Sequence, residues 1–578
     1  MAARTAEEVA QRYWESLLEL QPRLATSIGD DRYDDRLEDP SPRGREAMRA
    51  LHARTLAELD ELTAGRGAEA GAATAELADE DRVTADVLRF MCRAAIEVED
   101  SGWTLLEPVD HMEGPPMALT YAAQEQRADT PERLQRWLGR LAAYPAFIDA
   151  YVDRIGEARR QGILPARIVA ERFAEQLSRR IAEPPEASPI VMTPPVTSAA
   201  DRAEIAAAVR EYVQPADARL LAATRDILPE TREASGLSAL PDGERIYDAL
   251  RLQWTTLRTD PDELHRFGLA DLEAIEAERR EIANRTGFGD HTAAFRAAMA
   301  EDVGNRPGTP DELLARMRAD LVRALDATPA WFSRLPHAAC HVEPLDAALE
   351  SDSFGYYVSP TPDGSRPGAF YMNTAQLATK LFSRFATVTY HETIPGHHLQ
   401  LATEAELPGL SAFRRLGARE ACGAYVEGWA LYTERLADEM GLFRNDAERF
   451  GMLDGQAWRA ARLVIDTGIH AFGWERETAV DFLLNATGFE RADAAIEVDR
   501  YIAMPAQALA YKVGQRAIER LRSAAIPGNA PDRTSAVRRF HDALLAHGSL
   551  PLEVLAAGVP RWLAATTPAG AGSRIRPE

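Results

Sequence analysis

The sequence predicts a mainly helical fold, built from many helices with one small β-sheet or hairpin. Helix starts are the first observation, because residues 130–132, 260–263 and 309–312 each join a capping side chain to a proline and an acidic residue. Two short aromatic segments, 354–359 and 368–373, are the second observation. The turn-rich sequence PTPDGSRP joins them, and this pattern predicts a β-hairpin.

Composition indicates a soluble globular protein. Hydrophobic residues make up 46% of the 578 residues and charged residues 27%, which excludes wholesale disorder. No stretch approaches the roughly 20 apolar residues of a membrane helix, so we expect no contact with membranes. The net charge of −24 argues against a nucleic-acid partner. Three widely separated cysteines and the lack of a secretory signal predict residence in the cytoplasm.

Prolines divide the chain in its first half. Residues 183–198 read EPPEASPIVMTPPVTS, and prolines do not fit helix interiors, so we expect a linker or an extended crossing segment there. We therefore predict an N-terminal helical lobe over residues 1–185 and a second lobe over residues 186–565. The end of the chain, residues 566–578, is predicted to be disordered.

One segment of the second lobe combines metal ligands with a base. Residues 385–400 read FATVTYHETIPGHHLQ, with three imidazoles and a carboxylate inside eight residues. A zinc hydrolase needs imidazole or carboxylate ligands, an open position for water and a nearby carboxylate to take the proton of that water. His391 and Glu392 supply one ligand and the base. The sequence therefore predicts a Zn²⁺ site in a hydrolase.

The spacing departs from HExxH because Pro395 occupies the fourth position after His391. In an undistorted helix His397 lies about 9 Å and His398 about 10.5 Å further along the axis than His391. Two nitrogens on one zinc ion lie at most about 4 Å apart, so such a helix brings neither histidine to the metal. Pro395 and Gly396 permit a bulge or wide turn that absorbs two extra residues. Spacing alone leaves His397 and His398 as alternatives.

A later helix offers the third ligand. The run AYVEGWALYTERL contains Glu427 and Glu434, which share one helix face because they are seven residues apart. We expect Glu427 to bind the metal. Glu434 is then either a hydrogen-bonding partner of a ligand or the alternative ligand.

Several motifs resemble the bacterial "domain of unknown function 885" family, whose relatives are zincin-like, gluzincin-type metallopeptidases. The similar segments are HETIPGHHLQ at 391–400, EGWALYTE at 427–434, DTGIHAFGW at 466–474 and RYIAMPAQALAYKVG at 500–514. The early segment LELQPRLATSIGDDRYDDRLEDPS is similar as well. One position differs, since Ala506 stands where the family more often has glycine.

This resemblance implies a large multi-helix zincin-like metallopeptidase fold, with the small β-sheet or hairpin beside the active-site helix. It also implies an active-site cleft between helical lobes. His391, His397 and Glu427 become the zinc ligands and Glu392 the general base. His397 is preferred to His398 because PGH matches the end of the related oligopeptidase motif.

Peptide hydrolysis at zinc also needs a donor for the oxyanion that develops on the attacked carbonyl group. Related gluzincins use a phenol or imidazole from a later helix, and the resemblance gives three candidates. Tyr511 is the first choice, with Tyr501 and His470 as alternatives.

Three residues are predicted to contact substrate. Arg500 suits a substrate carboxylate, although an internal salt bridge is the alternative. The strand at 368–373 precedes the metal helix, as an edge strand does in zincins, and its free backbone groups would pair with an extended peptide. Tyr371 and Asn373 would then line the cleft.

The leading hypothesis is therefore a zinc-dependent hydrolase that cleaves peptide or amide bonds of small substrates. One alternative is a biosynthetic hydrolase of a non-peptide amide. Another is a metal-free binding or scaffold protein with a decayed site. The sequence is compatible with a homodimer but does not specify the oligomeric state.

Overall fold

The computed structural model describes residues 5–68, 79–345, 355–364, 366–528 and 530–566. The predicted disordered end lies outside these residues from position 567 onward. The prediction of a mainly helical protein with a small β-sheet is confirmed. In the described part of the chain the α-helices, numbered α1 to α23 in chain order, are Ala6–Leu20, Pro22–Ser27, Pro42–Ala68, Asp79–Ser101, Met117–Glu125, Pro131–Gln161, Arg167–Ala182, Pro189–Met192, Ala199–Ala208, Gln214–Ile227, Gly243–Thr255, Pro261–Arg285, Thr292–Glu301, Pro310–Ala327, Phe382–Glu392, His397–Ala405, Gly423–Glu439, Asp446–His470, Arg476–Thr487, Arg491–Ala503, Ala510–Ala525, Arg533–Leu545 and Leu552–Thr566.

The three predicted helix starts are capped as their sequences indicate. The side chains of Thr130, Asp260 and Thr309 each accept a hydrogen bond from a backbone N–H in the first turn of the helix that follows. Each cap satisfies donors that have no partner inside the helix. A proline then stands at the first helical position, where it sacrifices no hydrogen bond.

The β-sheet has three strands in the order β1-β3-β2. They are β1 (Cys340–Pro344), β2 (Gly355–Val358) and β3 (Gly368–Met372). β2 and β3 pair antiparallel, whereas β1 pairs parallel to β3.

The position of β3 corrects one expectation. β3 is the central strand, because Tyr371 lies opposite Glu343 on one side and opposite Tyr356 on the other. Its backbone groups are therefore engaged within the sheet, and residues 368–373 are not an edge strand. β2, the hairpin partner of β3, is an edge strand of the sheet.

Apolar side chains form three clusters. The largest joins α1, α3 and α4 to residues from position 237 onward. A second cluster is made by residues 109–228, called here the 109–228 unit, and a third mainly by residues 461–508. Core packing thus groups the chain differently from the predicted lobes 1–185 and 186–565, because the first helices lie against the C-terminal ones.

The proline-rich segment 183–198 lies inside the 109–228 unit. It contains the short helix α8, and Ile190 and Val191 of that helix are buried in the core of the unit. Val196 forms an isolated parallel bridge with Ala128. The segment therefore crosses one packed unit and does not link two units.

Close packing fixes the helix that carries Glu427. α17 crosses α21 where Gly428 meets Gly514, and a Cβ atom on Gly514 would lie 1.7 Å from the carbonyl oxygen of Ala424. Glycine is needed at this crossing because only a missing side chain permits such backbone contact.

Among the described residues, no helix has both the length and the apolar character that spanning a bilayer requires.

Candidate metal centre

The histidine motif breaks into two helices at Pro395 and Gly396. α15 ends at Glu392, a turn covers residues 393–396, and α16 begins at His397. The chain therefore leaves helical geometry at Pro395 and Gly396, where the sequence predicted a departure. The helix breaks completely there. The axial separation of an undistorted helix no longer keeps the two histidines apart.

Two contacts hold this turn. A Cβ atom on Gly396 would lie 1.9 Å from the carbonyl oxygen of His391, so any larger residue would push the turn apart. The indole nitrogen of Trp429 donates a hydrogen bond of 3.0 Å to the carbonyl oxygen of Pro395. Because Trp429 and Glu427 both belong to α17, the same helix positions the turn and the predicted third ligand.

His391, His397 and Glu427 converge. Each offers one ligand atom, and these atoms all lie within 4.8 Å of one another. Oε2 of Glu427 is 3.7 Å from Nε2 of His391 and 3.5 Å from Nε2 of His397. Both distances exceed a hydrogen bond but fit the roughly 3.4 Å between two ligand atoms that a tetrahedral zinc ion holds at about 2.1 Å.

An orphaned oxygen supports the fit to a cation. Oε2 of Glu427 is buried without a hydrogen-bond partner among the described residues. A buried carboxylate oxygen without a donor is unfavourable unless a cation or water satisfies it. Two imidazoles and one carboxylate, with their ligand atoms facing one point, are a donor set that suits Zn²⁺.

Glu434 lies behind His391, outside this group. Its Oε1 accepts a hydrogen bond of 2.9 Å from Nδ1 of His391, and its Oε2 accepts one of 3.1 Å from Gln456. The Glu434 side chain is fully buried, with Arg459 3.8 Å away. The geometry therefore favours Glu427 over Glu434 as the ligand and gives Glu434 the role of orienting the ring.

His398 points away from the group. Its Nδ1 accepts a hydrogen bond of 2.8 Å from the hydroxyl of Tyr357, and its Nε2 donates one of 3.1 Å to the carbonyl oxygen of Ala338. Burial lowers the pKa of His398 to about 4, so its ring stays neutral near pH 7. Both nitrogens are engaged, and the geometry favours His397 as the ligand.

Tyr357 is a neighbour of the centre that the sequence did not single out. Its ring stacks on the ring of His397 with centroids 6.5 Å apart. Gly368 makes room for it, since a Cβ atom there would lie 2.7 Å from the Tyr357 hydroxyl and 2.5 Å from Nδ1 of His398. His398 thus positions a phenol beside the candidate ligand next to it in sequence.

Charge around the group favours a cation. Burial opposes protonation of His391, but the nearby carboxylates of Glu427 and Glu434 raise its pKa to about 9. Burial raises the pKa of Glu427, yet the two imidazoles outweigh it and hold that pKa far below its usual range. The carboxylates therefore attract a positive charge to this point, which a proton or a metal ion can supply.

Glu392 is available as a base. It is half-buried at the end of α15, and within the described ranges no side chain or backbone group pairs with its carboxylate. Burial and then the charge of Glu392 raise the pKa of the Cys340 thiol to about 12. The Glu392 carboxylate therefore lies near the start of β1.

Tyr511 lies near Glu427. It is half-buried on α21, and burial followed by the charge of Glu427 raises its pKa. The guanidinium of Arg462 covers the Tyr511 ring at 4.4 Å from the centroid. The phenol thus lies within electrostatic range of Glu427, on a helix that packs directly against α17.

The structure corrects the expectation for Tyr501. Its hydroxyl donates a hydrogen bond of 2.8 Å to Glu497 and accepts bonds of 2.9 Å from Trp458 and 3.1 Å from Arg462. Its side chain is almost completely buried. The phenolic proton is committed to Glu497 and is not available to a substrate.

His470 is corrected for the same reason. Its Nε2 donates a hydrogen bond of 3.0 Å to the carbonyl oxygen of Tyr501, and its Nδ1 accepts one of 3.3 Å from the backbone N–H of Leu237. Burial lowers the pKa of His470 to about 3. The ring links backbone segments in the core and has no nitrogen left for a substrate.

The three residues predicted to contact substrate are engaged within the protein instead. Arg500 donates hydrogen bonds to Gln507 at 2.9 Å and to Glu497 at 3.3 Å, so the alternative of an internal salt bridge is the one found. Tyr371 belongs to the central strand, and Oδ1 of Asn373 accepts a hydrogen bond from the backbone of Ala375. Neither Tyr371 nor Asn373 lines the cavity at Glu427.

Ala506 adopts a backbone conformation that explains the glycine expected there. Its φ is +69°, in the left-handed region that glycine enters most easily. Its backbone N–H donates to both carboxylate oxygens of Asp466, at 3.0 and 3.2 Å. This buried carboxylate holds the alanine in place.

A cavity of about 960 Å³ adjoins the centre. Glu427 and Val426 contribute to one wall, and residues 356–359 at the end of β2 contribute to another. The opposite side belongs to the 109–228 unit. This volume is in the range of sites that enclose small-molecule ligands.

Comparisons with known proteins place the chain in a family. The crystal structure of a "putative lipoprotein" from Colwellia psychrerythraea is similar, with a TM-score of 0.84 and 24% identity, over 97% of this chain and 100% of that one. A "putative lipoprotein of unknown function" from Shewanella oneidensis has a TM-score of 0.72 and 17% identity, over 96% and 99%. These likenesses show a shared fold. No curated protein sequence matches the chain. The family described as "Bacterial protein of unknown function (DUF885)" matches residues 22–559, and the chain therefore belongs to it.

Proposed function

We propose that this protein is a zinc-dependent hydrolase that cleaves peptide or amide bonds of small substrates. The observation that supports this most is the convergence of His391, His397 and Glu427, whose ligand atoms lie within 4.8 Å beside a cavity of about 960 Å³. Two histidines and a glutamate are a common ligand set of catalytic zinc in peptidases. Glu392, adjacent to a ligand and without a partner among the described residues, is the proposed base.

Each residue then has a definite task. A zinc ion held by His391, His397 and Glu427 would supply a Lewis acid and lower the pKa of a bound water. Glu392 accepts a proton from the attacking water and returns it to the amine as the C–N bond breaks. Tyr511 donates a hydrogen bond to the carbonyl oxygen as it becomes negative.

The proposal extends to two further features. The sequence motifs support a relation to zincin-like metallopeptidases, and the three widely separated cysteines favour residence in the cytoplasm. A non-peptide amide in a biosynthetic pathway would need the same residues, so peptides and such amides belong in one screen. The orphaned oxygen of Glu427 argues against a decayed, metal-free scaffold.

Metal analysis and one substitution test the proposal. After zinc loading and removal of excess metal, we expect about one zinc ion per chain. Short peptides and non-peptide amides are then screened for turnover. Glu392→Gln should keep the zinc and lose about 10²- to 10⁴-fold in kcat, because it removes the general base. Glu301→Gln, the same change at an exposed position, should be as active as the wild type.

Two results would contradict the proposal. Zinc far below one equivalent in the loaded wild-type protein would refute the metal centre. Full activity of the Glu392→Gln variant would refute the assignment of the base.

A further inference from the structure

Two arginines in the wall of the cavity meet at one serine. Arg366 and Arg419 both line the cavity. The guanidinium of Arg366 lies 3.3 Å from the carbonyl oxygen of Ser359, and that of Arg419 lies 3.5 Å from its Oγ. Ser359 directly follows β2, so the pair lies at the end of the strand that carries Tyr357.

The donors of this pair are poorly used. Apart from Ser359, the Arg366 guanidinium has one hydrogen-bond acceptor among the described residues, the carbonyl oxygen of Ser27 at 3.4 Å. Its Nε is buried without an acceptor, and no carboxylate of the described residues lies within ion-pair distance of it. Among the described residues, one carboxylate lies within ion-pair distance of Arg419: that of Glu420, 3.5 Å away, whose side chain is 48% exposed.

Arg180, in the wall of the same cavity, shows the contrast. Its guanidinium contacts the buried carboxylate of Asp217 at 3.4 Å and the hydroxyl of Thr120 at 3.2 Å. Buried guanidinium N–H groups are stable when such acceptors are present and costly when they are absent. Arg366 therefore lacks the acceptor that its position in the cavity calls for.

The pair is also close to the candidate metal centre. Burial raises the pKa of the Tyr357 phenol, and the positive charges of Arg419 and Arg366 oppose this effect. The same phenol donates to His398, and its ring stacks on His397. Tyr357 thus contacts a candidate zinc ligand and lines the same cavity as the two guanidinium groups.

Neighbouring carboxylates of the described residues form no close ion pair with Arg366. Glu125 lines the cavity, and burial, opposed by Arg366 and Arg419, raises its pKa to about 7. Burial also raises the pKa of Glu404, near Arg419, to about 7, and this carboxylate already accepts hydrogen bonds from Ser549. Glu420, beside Arg419, is exposed, so solvent screens its charge.

We propose that Arg366 and Arg419 form a subsite for a carboxylate of the substrate. Guanidinium groups bind carboxylates with paired, charge-assisted hydrogen bonds, which would satisfy the unused donors. Preferred substrates are then peptides or N-acyl amino acids that carry a free carboxylate. This inference rests on the proposed function, since it names the substrate class of the same cavity.

Binding measurements test the subsite without relying on turnover. A panel of N-acetyl dipeptides, each as the free acid and as the C-terminal amide, is titrated by calorimetry into the full-length, zinc-loaded Glu392→Gln variant. We expect the acids to bind about tenfold to hundredfold more tightly than the amides. Dipeptide amides with one aspartate distinguish a side-chain carboxylate from the terminal one.

Substitutions then assign the preference to the pair. Arg419→Gln and Arg366→Gln should each bring the acid-to-amide affinity ratio close to 1 and leave amide affinity unchanged. Arg179→Gln makes the same change at an exposed residue of the same cavity and should keep the full ratio. Arg366 also contacts Ser27, so Arg366→Lys, which retains the charge, checks for loss of folding.

The possible failures are distinct. Equal binding of acids and amides, or binding of neither, would overturn the subsite. The same holds if the Arg419→Gln variant keeps the wild-type ratio. Selective binding of acids, with no hydrolysis of them by the wild-type protein, would support the subsite and refute the proposed hydrolase. Cleavage of acids and amides by the wild-type protein at equal rates, with equal affinities, would support the hydrolase and overturn the subsite.

Discussion

Glu434 accepts a hydrogen bond of 2.9 Å from Nδ1 of His391, which leaves Nε2 of the same ring 3.7 Å from Glu427. The two glutamates are seven residues apart on α17, or about 10.5 Å along its axis. The imidazole spans the space between them because its nitrogens lie on different sides of the ring. Since a carboxylate only accepts, Glu434 keeps the hydrogen on Nδ1 and frees Nε2 for a metal.

Glu434→Gln should weaken zinc binding about tenfold to hundredfold, because the neutral amide no longer supports the orientation and basicity of His391. Zinc affinity is measured by titration against a competing chelator. Glu439→Gln is the matched control, since Glu439 lies on the same helix but pairs with Arg522. Equal zinc affinity of the Glu434→Gln variant and the wild type would contradict the role given to Glu434.

Alanine substitution of the adjacent residues His397 and His398 should have opposite effects on zinc binding. His397→Ala removes a proposed ligand, and we expect a larger loss of zinc affinity than in Glu434→Gln. His398→Ala should keep zinc, because His398 binds Tyr357 and Ala338 instead. The zinc content of both purified variants decides the matter. Loss of zinc from His398→Ala with retention in His397→Ala would reverse the assignment.

The sequence predicted those parts of the centre that depend on local geometry. Pro395 and Gly396 cannot continue a helix, so a break between the histidines followed from residue types alone. The choice between His397 and His398 did not, because it depends on which ring finds partners in Tyr357 and Ala338. Those partners come from a distant strand and loop.

The wrong prediction that residues 368–373 form an edge strand has the same origin, because the correct answer depends on a distant part of the chain. A hairpin can be predicted from two neighbouring segments and their turn, and β2 and β3 do pair in this way. The parallel strand β1 comes from further back in the chain and has no such local signal. Tyr357 lay in a predicted strand, but the face it presents to α16 is set by the packing of the whole sheet.

Tyr511 and Tyr501 should be separated by one matched pair of variants. Tyr511→Phe removes the proposed oxyanion donor and should lower kcat by about 10²- to 10³-fold without loss of zinc. Tyr501→Phe instead removes hydrogen bonds to Glu497, Trp458 and Arg462. We expect it to lower the free energy of unfolding by about 1–3 kcal/mol and to change kcat little.

Steady-state kinetics on a peptide found in the screen, together with urea unfolding, measure both effects. Unchanged kcat in Tyr511→Phe would exclude the phenol from catalysis. A large loss of kcat in a stable Tyr501→Phe variant would restore Tyr501 as a candidate.

Gly514→Ala tests whether close helix packing positions Glu427. Alanine is favoured over glycine inside a helix by about 1 kcal/mol, so helix propensity alone predicts a more stable protein. Packing predicts the opposite, because a Cβ atom at this position would lie 1.7 Å from the carbonyl oxygen of Ala424 and 2.8 Å from Cα of Gly428. Backbone atoms cannot move aside as a flexible side chain would. We expect packing to dominate and the free energy of unfolding to fall by about 1–3 kcal/mol, with weaker zinc binding because α17 shifts.

Gly528→Ala, where a Cβ atom meets nothing within 4 Å, should change the free energy of unfolding by less than about 0.5 kcal/mol. Urea unfolding followed by helical circular dichroism compares the two variants, and a Gly514→Ala protein as stable as the wild type would show that the helix crossing does not hold Glu427 in place.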